Sequence, residues 1–345
     1  MTNDVVMDVR GLTKLFPVGR SGPFGMGGEK RAIHAVEDVS FSLQRGRILA
    51  LVGESGSGKS TIARLLARLY SATAGQALFH GEDVLRLAGR HNLLRYRSRV
   101  QMVFQDPFGS LNPVNSVAHH IERPLVIHKQ AAGGREARER VHDLLETVGL
   151  TPPDEVARRL PHQLSGGQRQ RVSFARALAV NPEVILADEP ISMLDVSMRM
   201  GILNLMAQLR DEKGLAYLYI THDLASARYI ASEVMVLYAG QVMEKAPSEE
   251  LMNAPLHPYT QLLLSAVPDP KTATEKRRVD ARGEIPVVVN PKPGCRFANR
   301  CPHVMDVCKR TTPALMEVRP NHLVRCFLHS PAVAACNSDP PSTID

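Results

Sequence analysis

Nine consecutive residues have the types and spacing needed to hold a triphosphate: Gly53, Glu54, Ser55, Gly56, Ser57, Gly58, Lys59, Ser60 and Thr61. They fit the pattern G-x-x-x-x-G-K-[ST], in which glycines let successive backbone N–H groups turn inward around phosphate oxygens. A helix starting there adds its positive end. Lys59 would then reach the β- and γ-phosphates and the Ser60 hydroxyl would ligate Mg²⁺. Far downstream, the apolar run VILA (residues 184–187) leads straight into Asp188 and Glu189. Asp188 can complement Ser60 in holding Mg²⁺, and Glu189 sits where a carboxylate can polarise a water for in-line attack on the γ-phosphate. Gln105 ends the run VQMVF and His222 follows LAYLYIT. A polar residue at the end of a buried strand commonly faces the ligand in a nucleotide-binding α/β sheet.

The elements that must position these residues follow from periodicity. Residues 48–52 (ILALV) read as a short buried strand running into the glycine loop, and residues 61–70 (TIARLLARLY) have helical apolar spacing. Residues 5–17 and 35–43 alternate as antiparallel strands do, with a glycine-rich hairpin loop at 18–32 between them. Phe16, at the end of the first, suits either a core position or stacking on an adenine. Further strands are expected at 76–80, 100–104, 184–187 and 215–220, separated by helices, which is the order of a mainly parallel sheet. Residues 116–147 are helical in period and lack β character, so an inserted helical subdomain is expected over about 106–180. Leu164, Ser165, Gly166, Gly167 and Gln168 spell LSGGQ at the start of a helix, where free N–H groups form an anion site.

The chain has 345 residues, 44% hydrophobic and 22% charged, with a net charge of +7. That is the composition of an ordinary globular protein, too long for one core, so one large domain with an appendage is expected. The positive excess suits nucleotide phosphates or an anionic membrane surface and requires no nucleic acid. No apolar run reaches 18 residues and the N-terminus lacks the pattern of a signal peptide, which points to the cytosol. Short helices are expected at 248–254 and 258–266, a polar linker at 267–278, a small loop-rich cysteine-containing domain at 283–330 and a disordered tail at 331–345.

Residues 5–255 resemble the ATP-binding subunit of ABC transporters. The resemblance is carried by GESGSGKST, Gln105, LSGGQ, VILADE, the SMLD stretch ending at Asp195, and His222, all in order. It implies an α/β P-loop NTPase cassette with a mainly parallel core, an antiparallel β subdomain and the helical insertion, and it implies ATP hydrolysis. It also implies that Gln105 senses Mg²⁺ and the attacking water, and that His222 holds the γ-phosphate, the water and Glu189 in place. Residues 164–168 would close on ATP held by a partner ATPase, with Asp195 in the dimer-facing D-loop. Phe16 stands where the family often has tyrosine, and Met193 where alanine is more usual.

The stretch LHPYTQLLLSAVP (residues 256–268), with the glycine-rich loop and the turn DPFGSLNP, resembles the dipeptide, oligopeptide and nickel importer branch, most closely its second, F-type, dipeptide ATPase. That implies a cassette over 1–255 and an extension over 256–330. The partners implied are a homologous second ATPase, two membrane permease subunits and an external solute-binding protein. The location implied is the cytoplasmic face of the inner membrane, and no nucleic-acid partner is expected. A nickel or glutathione importer, or a soluble non-transport ABC ATPase, are the alternatives. Plain physics reads the HPY tripeptide as a helix start with proline in its first turn.

Cys295, Cys301, Cys308 and Cys326 gather in the extension, without the C-x₂-C pairs of a zinc knuckle. Four thiolates on proline-rich loops suit a [4Fe–4S] cluster, which some members of the importer branch carry here. Zinc and free thiols remain as alternatives.

Overall fold

The computed structural model describes residues 4–18, 31–266 and 288–330. The glycine-rich loop, the polar linker and the tail expected from the sequence fall mostly or wholly outside these ranges.

Alternating apolar residues build a first, antiparallel sheet from β1 (Val5–Val18), β2 (Arg31–Gln44), β4 (Ala74–Phe79) and β5 (Glu82–Asp83), in the order β2-β1-β4-β5. β3 (Ile48–Val52), β6 (Val100–Val103), β7 (Val184–Asp188), β8 (Ala216–Thr221), β9 (Glu233–Tyr238) and β10 (Gln241–Pro247) enter a second sheet, completed by β11 (Met316–Arg319) and β12 (His322–Val324). Its order is β11-β12-β10-β9-β3-β8-β7-β6. The β9-β3-β8-β7-β6 stretch is parallel and the remaining pairs are antiparallel.

Strands buried on both faces read as continuous apolar runs, and their residues divide between two cores. In β3, Ile48, Ala50 and Val52 join one core while Leu49 and Leu51 join the other. β8 repeats the division with Tyr217 and Tyr219 on one side and Leu218 and Ile220 on the other. The second core lies against the antiparallel sheet and α1 (Lys59–Leu66), which buries Ile62, Ala63, Leu65 and Leu66. α2 (Arg90–Arg99) caps the same side through Tyr96.

The first core spreads under the helical insertion: α3 (Pro107–Ser110), α4 (Val117–Ile127), α5 (Gly134–Thr147), α6 (Pro153–Arg158) and α7 (Gly166–Leu178). The charged stretch of α5 faces water, where Arg135 bonds Glu139 at 2.7 Å. α8 (Val196–Lys213) and α9 (Leu224–Ile230) follow β7 and β8 in turn. α10 (Ser248–Asn253) and α11 (Pro258–Ser265) lead to the extension, which also holds α12 (Asp306–Arg310).

The expected strands and helices form within a few residues of their anticipated ends. The extension departs from the expected separate domain, because it shares the cassette's sheet and core. β12 pairs with edge strand β10, matching Glu244 to Val324, and Phe297 is buried in the first core. Pairing satisfies backbone groups that an edge strand would otherwise leave open.

Candidate functional site

Four parallel strands end at one edge of the large sheet, where α/β sheets collect ligands. β3 runs into the glycine loop, β6 toward Gln105, β7 ends at Asp188 and β8 at Thr221, just before His222. A cleft of about 880 Å³ opens there, lined by Gly53, Glu54, Ser55, Gly56, Gly58, Lys59, Ser60, Thr61, Gln105, Glu189 and His222.

Two of the loop's glycines are dictated by close packing. A Cβ on Gly53 would lie 2.2 Å from the Leu237 carbonyl oxygen, and one on Gly58 (φ 107°) would lie 2.3 Å from that of Ala35. Any side chain there would push the backbone off its neighbours. Gly58 also sits at the start of α1, whose free N–H groups face the cleft. Ser57 is fully buried under the loop.

Lys59 is buried, and its ammonium donates to the Gly53 carbonyl at 2.7 Å and the Glu54 carbonyl at 2.8 Å. Burial pulls its pKa below the usual lysine range, against the opposing pull of Glu189, Asp188 and Glu54. The Ser60 hydroxyl donates to Asp188 Oδ1 at 2.8 Å. Burial raises the Asp188 carboxyl, with the Ser60 bond acting in the opposite direction. A hydroxyl and one carboxylate in contact, beside a phosphate cradle, are the hard oxygen donors that Mg²⁺ takes together with substrate phosphates. The residues present therefore fit that ion.

Gln105, Glu189 and His222 come together from three strand ends. Gln105 Nε2 donates to Glu189 Oε2 at 3.1 Å, and His222 Nδ1 lies 3.3 Å from the same oxygen. The Glu189 backbone adopts φ 47°, the left-handed region that a residue with a Cβ rarely enters, and its N–H is held by the Ile220 carbonyl at 2.9 Å. Such conformations concentrate where the surroundings hold a side chain in a required place. The glutamate side chain is mostly enclosed while His222 is exposed, so the pair points from the protein toward open solvent.

Residues 164–168 lie elsewhere. Ser165 caps α7: its hydroxyl accepts from the Gln168 N–H at 3.2 Å and Gln168 Oε1 accepts from the Ser165 N–H at 3.0 Å. This reciprocal pair satisfies two end groups and leaves the remaining N–H groups of the first turn free. Leu164 and Gly167 are buried, Gly167 against Met198 of α8. None of residues 164–168 lines the cleft of the phosphate loop. Asp195 begins α8 at the surface, beside exposed Met193, Val196 and Met200.

Phe16 pairs in register with Ile33, and Ile33 lines the cleft. The Phe16 ring itself lies edge-on to Tyr70 at 5.7 Å, under the Lys14 ammonium at 4.8 Å. The apolar end of the cleft is formed by Ile33, Ala35, Leu263 and Val288. Leu263 and Val288 come from α11 and the extension, which sequence reasoning left out of the site. Residues 288–290 join the edge of β2, through the His34 N–H to the Val288 carbonyl at 2.9 Å and the Ala32 N–H to Asn290 Oδ1 at 2.9 Å.

The HPY tripeptide also does more than start a helix. His257 Nδ1 accepts from the Tyr259 N–H at 3.0 Å, and the Tyr259 hydroxyl accepts from the Glu54 N–H of the phosphate loop at 3.1 Å. The HPY motif is visible in the sequence; its reach to the phosphate loop is not.

The four cysteines are free thiols, Cys308 and Cys326 buried, Cys295 and Cys301 partly so. Burial raises Cys326 to about 11 and also raises Cys295 and Cys301, with neighbouring cysteines of the group adding to each shift. They therefore share one region. Among the described residues no group of three or more Cys, His, Asp or Glu side chains is placed to hold a metal ion. Cys295 and Cys301 lie against the first core as small apolar groups do.

Residues 36–192 match the ABC transporter family and residues 243–308 match the oligopeptide/dipeptide transporter C-terminal region. The oligopeptide transport ATP-binding protein AppF of Bacillus subtilis is 45% identical, over 95% of this chain and 98% of its own length. The dipeptide transport ATP-binding protein DppF of Haemophilus influenzae is 41% identical, over 95% and 99%. Among solved structures, the dimeric ATP-binding cassette MJ0796 with ADP and Pi superposes with a TM-score of 0.60 at 30% identity, over 70% of this chain and 98% of that one. With the phosphate cradle and the carboxylates in place, these likenesses show that the chain belongs to the ATP-binding subunits of ABC transporters and is an ATPase.

Proposed function

We propose that this ATPase powers the uptake of dipeptides or oligopeptides across the bacterial inner membrane, docked on the cytoplasmic face of a permease pair. The reading is supported by the similarity to named peptide-transport subunits along nearly the whole chain and by the match of the extension to the peptide-transporter C-terminal region. Among the described residues no helix is long and apolar enough to cross a membrane, so transport requires membrane-embedded partners. The division is a cassette over 1–255 and an extension over 256–330, the latter built onto the cassette's sheet.

The observation that carries the mechanism is the convergence of Gln105 and His222 on one oxygen of Glu189. Glu189 polarises the attacking water, His222 orients the carboxylate and the γ-phosphate, and Gln105 links that geometry to the helical insertion that follows it. Lys59 leaves the two loop carbonyls to meet the phosphates, while Ser60, Asp188 and Gln105 are the groups that would hold Mg²⁺. Bound there, the ion would neutralise phosphate charge. Phe16, whose strand partner Ile33 lines the cleft, stacks on the adenine after its ring leaves Tyr70.

Because residues 164–168 stand outside their own chain's cleft, they serve ATP bound to a homologous partner ATPase, with Asp195 at the seam. The permease contact is assigned to the groove of about 440 Å³ lined by Asn112, His119, His120 and Arg123, next to Gln105's loop. A solute-binding protein outside the membrane delivers the peptide.

Glu189→Gln should retain ATP binding and lower turnover by roughly 10²–10⁴-fold, as loss of a general base does. Hydrolysis near the wild-type rate would remove Glu189 from that role. For the cysteines, we assign Cys295, Cys301, Cys308 and Cys326, which neighbour one another, to a [4Fe–4S] cluster. Anaerobically purified protein should then contain about four irons per chain. A colourless, iron-free protein would leave them as packing thiols.

A further inference from the structure

The segment between Cys295 and Cys301 reaches back across the sequence to grip the phosphate loop. Arg300 forms a two-pronged ion pair with Glu54, its guanidinium nitrogens 3.0 and 3.1 Å from the two carboxylate oxygens. The Arg300 side chain is only 7% exposed. Glu54 is held a second time by its own N–H, which donates to the Tyr259 hydroxyl. Its carbonyl is one of the two that bind the Lys59 ammonium. One residue of the loop thus has all three of its polar groups engaged, two by the C-terminal extension and one by the lysine that must meet phosphate.

The grip is itself fixed. Phe297, fully buried, lies against Tyr238 at 5.4 Å and Tyr259 at 5.3 Å, with the Arg300 guanidinium 5.7 Å from the Tyr238 ring centre. Arg296, with a side chain 6% exposed, donates to the Ala239 carbonyl and to Glu37 of β2. These contacts place Arg300 independently of the nucleotide. Flexible glycine loops lose conformational freedom on binding a ligand, and a partner that orders them beforehand raises affinity.

We propose that Arg300 and Tyr259 are positioning residues of the nucleotide site: the extension acts as a strap that presets Glu54, and through it the backbone of the phosphate loop, for ATP. Neither residue touches the reacting atoms. The strap rests on the phosphate loop being the ATP site, and the Lys59→Ala variant separates the two ideas.

The test uses the full-length chain and a fluorescent ATP analogue with Mg²⁺. Arg300→Gln and Tyr259→Phe should each weaken binding, Arg300→Gln by roughly tenfold, the size of an ordinary coupling between adjoining sites. Arg300→Lys, which keeps the charge and loses the fork, should fall between Gln and wild type. In the assembled transporter KM for ATP should rise while kcat stays within about twofold, since the strap acts before chemistry. Glu54→Gln combined with Arg300→Gln should bind no worse than either alone, the signature of a shared contact. If both single variants bind ATP as wild type does, and only lose thermal stability, the strap is structural and the proposal fails. If Arg300→Gln does not fold, Tyr259→Phe, which removes one acceptor and no bulk, decides alone. Unimpaired binding by Lys59→Ala would instead mean that the probe reads another site.

Discussion

His257 is buried between the cassette and its extension, and its ring serves as an acceptor. Burial, and then the nearby charge of His329, drive its pKa down to about 3, with the backbone of Arg325 opposing. A base whose folded pKa lies below its unfolded one binds fewer protons when folded, so stability rises with pH across that interval. The contribution of His257 is therefore complete above about 6.5 and is lost as pH falls toward about 3. His257→Asn, which keeps an acceptor and does not titrate there, should flatten the stability profile between those limits in denaturant titrations. An unchanged slope would show that His257 is not the titrating group. Tyr259, two residues on, is the kind of residue that no local pattern exposes: its partner Glu54 is 205 residues away. Glu189, in contrast, is legible from an apolar strand ending in two acids, though its left-handed backbone is not.

The same contrast holds for elements. β3, β7 and β8 are unbroken apolar runs, so burial on both faces is legible in their residue types alone. β9 and β10 went unanticipated. β10, QVMEKAP, carries Glu244 and Lys245 where a buried strand should be apolar. Glu244 is nonetheless fully buried, because it accepts from the backbone of Leu256 and His257 and bonds His322 at 2.7 Å. Those partners come from later in the chain, and a buried carboxylate is tolerable only with them. His322 itself sits between Glu244 and Glu250, at 2.8 Å from the latter. A chain ending at residue 255 should therefore open the β10 edge and orphan Glu244, and should aggregate when size exclusion is used to follow it. In the full chain His322→Ala should cost about 3 kcal/mol in denaturant titration, since it strips one partner from a buried pair. A truncated chain that stays monomeric and melts like the full one would refute this account of the edge.

At the scale of the whole molecule, the nucleotide cleft draws on both ends of the sequence. Short-range patterns reveal the glycine loop, the residues Gln105, Glu189 and His222 and the helical insertion, because each motif states its own local context. The wall formed by Leu263 and Val288 and the grip of Arg300 stay hidden, since they depend on a return of the chain over more than two hundred residues. The order in which the chain is made gives that return a further meaning. Translation delivers the phosphate loop, the LSGGQ turn, Asp188 and Glu189 well before His322 can pair its strand with β10 or Arg300 can reach Glu54. A growing chain thus passes through a stage with all its motifs synthesised and an open sheet edge. On the proposed strap, the ordering of the phosphate loop by Arg300 comes only after that return of the chain.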